Sequence, residues 1–128
     1  MTGFTLGSNE RIKSKKEFDG LFQNGSSFFL PPVRVLYLFA DFEGDVPAKA
    51  AFSAPKRHFK SAVERNYIKR RMREAYRQLK PELYETLRHQ NRKLLLVLIC
   101  QQYVEKITVA EFSLIISKAF DRLTADTR

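Results

Sequence analysis

Lys93 to Cys100, KLLLVLIC, is the stretch that most narrows what this chain can become. It is a nearly continuous apolar run of strand length, too short for a typical helix and without the alternation of a strand that has one wet face. Such a strand belongs at the centre of a sheet covered on both sides, so the chain must supply helices to cover it. Three capping signatures supply their starts. Ser14 with Glu17, Ser61 with Glu64 and Thr108 with Glu111 each set a hydroxyl three residues before a carboxylate, the spacing at which each side chain can satisfy an orphan amide at a helix start. The first predicts a helix from about Lys15 to Asn24, with Gly25 as a left-handed stop. The third predicts a closing helix whose apolar face is Phe112, Ile115, Ile116, Ala119, Phe120 and Leu123.

The middle signature opens the most unusual segment, KSAVERNYIKRRMREAYRQL from Lys60 to Leu79. At about 100° per residue, Arg65, Lys69, Arg73, Asn66, Arg77 and Arg70 fall on one arc of roughly 140°. Ile68, Met72, Ala75 and Leu79 form a narrow apolar stripe, with Tyr76 at its border, as in a helix docked along one face. Solvated helices usually interleave acids at the i,i+4 spacing. Glu64 and Glu74 lie off this arc, so the like charges await a polyanion. Pro81 ends the helix or breaks it, because proline has no donor for a helix interior. Residues 82–91 then form a helical turn or a connection.

Between the first and second helices, FFLPPVRVLYLFA predicts a strand from Val33 to Ala40, with Pro31 and Pro32 marking an edge or kink before it. The acidic turn Asp41 to Asp45 reads as a hairpin leading to an antiparallel strand from Ala48 to Ala54. Its carboxylates are a solvated turn rather than a metal site. The order is helix, two or three strands, helix, strand, helix, and the strand after the basic helix is free to pair in parallel. This is an α/β (α+β) two-layer sandwich with a small mixed sheet, in one domain of 128 residues with residues 1–12 as a flexible arm.

Net charge is +9, from 23 Lys and Arg against 14 Asp and Glu, which points first to nucleic acid. No apolar run reaches the ~18 residues of a membrane span. The N-terminus MTGFTLGSNER lacks the order of a secretory signal, so the cytoplasm is the expected compartment. The one cysteine, Cys100, lies in the apolar run and reads as a core thiol, and with two histidines neither zinc spacing nor a catalytic pair is evident. No protein-borne catalytic site and no obligate protein partner are expected.

Val63 to Glu74, VERNYIKRRMRE, resembles the signature helix of the bacterial ribonuclease P protein subunit, whose pattern is Arg-Asn-Arg, then Ile or Val, Lys-Arg and a further Arg. Arg11-Ile12-Lys13 leading to Phe18, Phe22 and Gly25 is similar to that family's opening helix, and Phe52-Ser53 with Lys56-Arg57 to the strand before the signature. The resemblance covers about residues 10 to 122. It implies an α-β-β-β-α-β-α fold, ribosomal-protein-like, with a left-handed crossover through the signature helix, against the usual handedness. It also implies a ribonucleoprotein endonuclease whose catalyst is an RNA using magnesium ions, Mg2+ being bound mainly by that RNA. Arg65, Asn66, Lys69, Arg70 and Arg73 would bind the catalytic RNA. Phe18, Phe22, Tyr37, Ser53, Lys56 and Arg57 would line a cleft between the first helix and the sheet for the single-stranded 5′ leader of precursor tRNA. Aromatic faces plus cations suit single strands of varied sequence; simple core packing is the alternative for the two phenylalanines. Tyr67 stands where the family usually has its second Arg, so one RNA contact is lost or becomes a stacking or hydrogen-bonding one. The turn HFKS, residues 58–61, is one residue longer than the common form and lacks its glycine. A structural RNA-binding protein without a leader cleft, an independent protein nuclease and a peripheral membrane protein are the rival readings. Exposure of Phe18 and Phe22 separates the first of these from the family reading.

Overall fold

A computed structural model describes residues 7–102 and 106–125. Residues 1–6 of the expected arm lie outside the described residues. Residues 7–12 are bound to the fold: Ile12 N donates to Ala50 O at 3.1 Å, and Glu10 is buried.

The helices begin where their caps predict. Helix α1 spans Lys15–Asn24, α2 Ala62–Gln90 and α3 Val109–Thr124. Each cap hydroxyl accepts from the amide three residues on, at 2.9 Å for Ser14, 3.1 Å for Ser61 and 3.1 Å for Thr108. The reciprocal bond completes the box at Thr108, where Glu111 Oε1 accepts from Thr108 N at 2.8 Å. Glu17 instead turns to Lys49 Nζ at 2.8 Å, pinning α1 to the sheet. Gly25 is not left-handed as expected, since its φ is −77°. It is required by close approach: a Cβ there would lie 2.4 Å from Leu21 O and 2.8 Å from Tyr37 O.

Pro81 neither ends nor breaks α2, which runs 29 residues through it. Propensity is overridden by burial on both sides of the proline. Lys80, Leu83, Tyr84 and Leu87 are all buried, and losing the turns beyond Pro81 would expose three large side chains at ~1.5–3 kcal/mol each. The helix stops at Asn91, whose φ of 57° is left-handed, while Arg92 N donates back to Leu87 O at 3.0 Å.

The strands are β1 Ser26–Leu30, β2 Val33–Phe39, β3 Ala48–Ser53 and β4 Leu94–Cys100. Pro31-Pro32, joined by a cis peptide bond, turn β1 into β2. The expected β2–β3 hairpin does not form. The sheet order is β1-β2-β4-β3, with β4 antiparallel to β2 and parallel to β3. The physical reason is the apolar run itself: Leu94 to Leu98 and Cys100 are all buried, and an edge position would expose them. Alanine-rich β3 has less to lose there, and the bridge from Arg11 to Ala50 covers part of its open edge.

The two faces of the sheet have separate cores. Helices α2 and α3 cover one face, where Val33, Val35, Ala50, Leu96, Leu98, Met72, Ala75 and Ile116 pack together. Tyr76, set by periodicity at the border of the stripe, is fully buried there, its ring edge-on to Phe52 at 5.6 Å and to Phe120 at 5.9 Å. On the opposite face Leu21 of α1 and Ile12 pack on Leu95 and Val97.

Candidate nucleic-acid interface

Strand pairing decides which side chains share the α1 face, because residues directly opposite in a ladder point the same way. Phe29 is opposite Arg34, Arg34 opposite Ile99, and Ile99 opposite Ser53. This row crosses all four strands. Ser27, Leu36, Val97 and Ala51 make the next row on the same face. Helix α1 is tied to Lys49 at the other end of β3, and the row through Arg34 and Ser53 remains half-buried. From α1, Phe18 packs against the core below, whereas Phe22 is 62% exposed. Their rings stack at 6.3 Å between centroids, with 17° between planes. Of the apolar trio on this helix, Leu21 is the core residue and Phe22 is not.

Ser53 ends β3 on this face, and exposed Lys56 and Arg57 follow in a turn closed by His58 N to Pro55 O at 3.0 Å and Phe59 N to Lys56 O at 3.2 Å. Buried Phe59 anchors the turn, so the HFKS insert is held by a side chain where a glycine would have allowed a tighter path. Tyr37 is not among this group. It points to the α2 face, half-buried between the rings of Phe28 at 5.7 Å and Phe39 at 6.1 Å. Leu36, one residue earlier, takes the α1 face. Period-2 alternation assigns Tyr37 to either face unless the register is known.

On the other side of the molecule, α2 presents its cations. Asn66 and Arg70 are exposed, and Arg65, Lys69, Arg73 and Arg77 half-exposed. They are not equivalent. Arg65 Nη1 donates to Phe59 O at 3.1 Å and Lys60 O at 3.4 Å, tying the Lys56–Arg57 turn to the helix. Arg73 lies over the Phe52 ring at 6.0 Å. Arg77 donates through Nε to Glu74 at 3.0 Å, and this hydrogen bond holds the Glu74 carboxyl below its ordinary range. The arc thus delivers its strongest free charge near Lys69, Arg70 and Arg73. Tyr67 donates to Ile107 O at 3.4 Å and carries the Arg71 guanidinium over its ring at 4.2 Å.

Two features escaped the sequence reading. Arg34 lies over the Phe29 ring at 5.2 Å and donates to Gln101 Oε1 at 3.0 Å, a cation preset on the α1 face. Strand alternation in VRVLYLF could have flagged it as the lone cation of that strand. Arg71 follows Tyr67 by one helical turn, so the i,i+4 spacing could have flagged that pair, whereas the groove beside it depends on the packing of α3 against α2. Burial pushes the Cys100 thiol up to about 11, which suits a core thiol. Among the described residues no three His, Cys, Asp or Glu side chains are grouped to hold a metal, and no helix is long and apolar enough to cross a membrane.

Comparison with known proteins places this geometry. The family model described as Ribonuclease P matches residues 6–124. The ribonuclease P protein components of two Porphyromonas gingivalis strains are each 34% identical over 84 residues, which is 66% of this chain and 61% of theirs. The chain thus spans 61% of the length of the curated relatives it matches. The structure of Staphylococcus aureus RNase P protein is similar with a TM-score of 0.68 at 19% identity, covering 92% of this chain and 96% of that one. The RNase P protein from Thermotoga maritima is similar with a TM-score of 0.69 at 20% identity, covering 88% and 96%. These likenesses show a shared α+β fold with a four-stranded mixed sheet.

Proposed function

The chain belongs to the ribonuclease P protein family, and from that membership we propose that it is the protein subunit of a ribonuclease P ribonucleoprotein that removes 5′ leaders from precursor tRNA in the cytoplasm. The catalytic RNA binds the cationic arc of α2, through Asn66, Lys69, Arg70 and Arg73, with Arg65 holding the adjoining turn. The single-stranded leader runs along the opposite face, between α1 and the open rows of the sheet. Phe18 and Phe22 offer base-stacking surfaces there, and Ser53, Lys56 and Arg57 meet the phosphates. The observation that carries this reading is Phe22, a large aromatic 62% exposed and stacked on Phe18 beside an open sheet face. A purely structural RNA-binding protein has no use for it, and burial would stabilise it by about 1.5–3 kcal/mol.

Reaction chemistry in this reading belongs to the RNA and its magnesium ions, which supply the activated nucleophile and charge stabilisation. The chain contributes position and potential. Cations fixed on one rigid helix lower the repulsion between packed RNA backbones with little ordering entropy left to lose. Magnesium sites made of RNA phosphates then fill at lower metal concentration.

The test is cleavage of precursor tRNA at low magnesium by a well-matched bacterial ribonuclease P RNA, with wild-type protein and with Lys69→Ala/Arg70→Ala/Arg73→Ala. Arg65 is left intact because it holds a loop. Wild type is expected to lower the magnesium midpoint and the triple variant to lose that effect. Log affinity against log salt should fall less steeply in the variant, by about 2–3 in slope for three lost phosphate contacts. An unchanged midpoint with wild type would sink the reading in favour of a structural RNA-binding role.

A further inference from the structure

The cationic arc does not end at Arg70. Past it, on the flank facing α3, lies an open groove of ≈ 450 Å³ whose walls include Arg70 and Arg71 of α2, the ring of Tyr67 and, across the gap, Val109 in the first turn of α3. We infer that this groove is a binding site for one unpaired nucleotide of an RNA, with Tyr67 and Arg71 as a preformed stacking platform and Arg70 and Arg71 as its phosphate contacts. The inference rests on the proposed role of α2 as an RNA-binding helix and adds to it a site with a defined chemistry.

The geometry of Arg71 carries the case. A helical side chain leans back toward the preceding turn, so residue 71 covers residue 67. Its guanidinium carbon sits 4.2 Å from the Tyr67 ring centroid. The ring in turn is fixed from behind by its hydroxyl, which donates to Ile107 O at 3.4 Å. The Arg71 Nε is buried and has no hydrogen-bond partner among the described residues. That nitrogen is closed to solvent, so a partner arriving in the groove would meet the guanidinium at its two terminal nitrogens. The nearby carboxylate of the groove does not fill that role, because Glu74 already accepts from Arg77 and from Gln78 Nε2 at 2.8 Å. A flat cation held by stacking is suited to a phosphate, which guanidinium groups meet with two parallel hydrogen bonds.

The other wall selects the ligand further. Val109 and the edge of the Tyr67 ring are apolar, which suits the face of a base more than the hydrated groove of a duplex. The volume falls in the ~300–1,000 Å³ range of clefts that take one small organic unit. An unpaired nucleotide, its base stacked on the Arg71 guanidinium and against Val109 and its phosphate on the edge donors of Arg70 and Arg71, fills both requirements.

The chain contains no tryptophan, which provides a clean probe. Tyr67→Trp places a single indole in the groove, and binding of bacterial ribonuclease P RNA is expected to quench its emission. Affinity is measured in parallel. Arg71→Ala is expected to weaken RNA binding about tenfold, and Arg71→Lys to recover only part of that, since an ammonium keeps the charge and loses the plane. Tyr67→Phe keeps the ring but loses the hydroxyl that fixes it, and should weaken binding less than Arg71→Ala does. Melting curves of each variant report folding, and Arg71 variants keep the test open should a residue 67 variant fail to fold. If Arg71→Ala and Arg71→Lys both bind within twofold of wild type while Lys69→Ala/Arg70→Ala/Arg73→Ala does not, the groove is not a site, although the helix still binds RNA. If wild type itself does not bind the RNA, the underlying reading of α2 fails instead.

Discussion

Glu10→Ala is expected to destabilise this protein more than any other single change of an ionisable residue. Glu10 lies in the short turn before α1, yet its carboxylate accepts from Lys80 Nζ at 2.8 and 2.7 Å, from Tyr84 Oη at 2.7 Å and from the Gly7 amide at 2.7 Å. Lys80 is 2% exposed, in the middle of α2. Removing the carboxylate leaves that ammonium buried without its counter-ion, a change that costs about 3–5 kcal/mol. For a chain of this size that is a fall in melting temperature of roughly 10–20 °C. Lys80→Met should cost less, because Glu10 keeps its bonds from Tyr84 and Gly7 and is itself less deeply buried. The double variant should cost less than Glu10→Ala alone, with a coupling of about 1–3 kcal/mol in a double-mutant cycle. Acid should act through the same group. Burial raises the Glu10 carboxyl, but the hydrogen bonds from Lys80, Gly7 and Tyr84 and the Lys80 charge outweigh it and hold it below its ordinary 4.5. Its contribution to stability is therefore complete above about pH 4.5 and is lost as pH falls through the depressed folded value. Urea unfolding between pH 7 and pH 3 of wild type and Glu10→Gln reads this directly. A cost below about 1 kcal/mol for Glu10→Ala, or strict additivity in the cycle, would refute the reasoning.

Three further changes probe the same architecture. Pro81→Ala restores an amide to the ladder of α2 and should stabilise by about 1–2 kcal/mol, seen as a higher melting temperature; a loss of stability would mean that the proline is needed for the packing around Lys80. Gly25→Ala should destabilise by about 1–3 kcal/mol, since the new methyl meets two backbone carbonyls that cannot move aside, and an unaffected melt would show that the α1–β2 junction is looser than it looks. Phe22→Ala should leave stability within about 0.5 kcal/mol, because the side chain is exposed, while weakening binding of a leader-bearing precursor tRNA by about 1–3 kcal/mol relative to leaderless tRNA. Equal affinity of the variant for both RNAs relative to wild type would remove Phe22 from the leader path.

What could be read in the sequence was what acts over a few residues. The caps at Ser14, Ser61 and Thr108 set the helix starts, the 3.6-residue period of α2 separated its cations from Ile68, Met72 and Ala75, and the unbroken run at β4 marked the centre of the sheet. The cationic arc and the aromatic pair of α1 were legible for the same reason, as was the likeness of VERNYIKRRMRE to its family. Tertiary structure decided everything that depends on competition between distant segments. It placed β4 between β2 and β3, because the strand most apolar on both faces gains most from the centre. It carried α2 through Pro81, because burial of Leu83, Tyr84 and Leu87 outweighs one missing donor. It turned Tyr37 away from Phe18 and Phe22, since a strand's register and not its composition chooses the face. It joined Glu10 to Lys80 across seventy residues, and it brought α3 beside α2 to make a groove against the Arg71–Tyr67 pair. A local code specifies conformation within its own few residues, whereas contacts between segments are settled only by which arrangement of the whole chain buries the most apolar surface while leaving the fewest polar groups unmet.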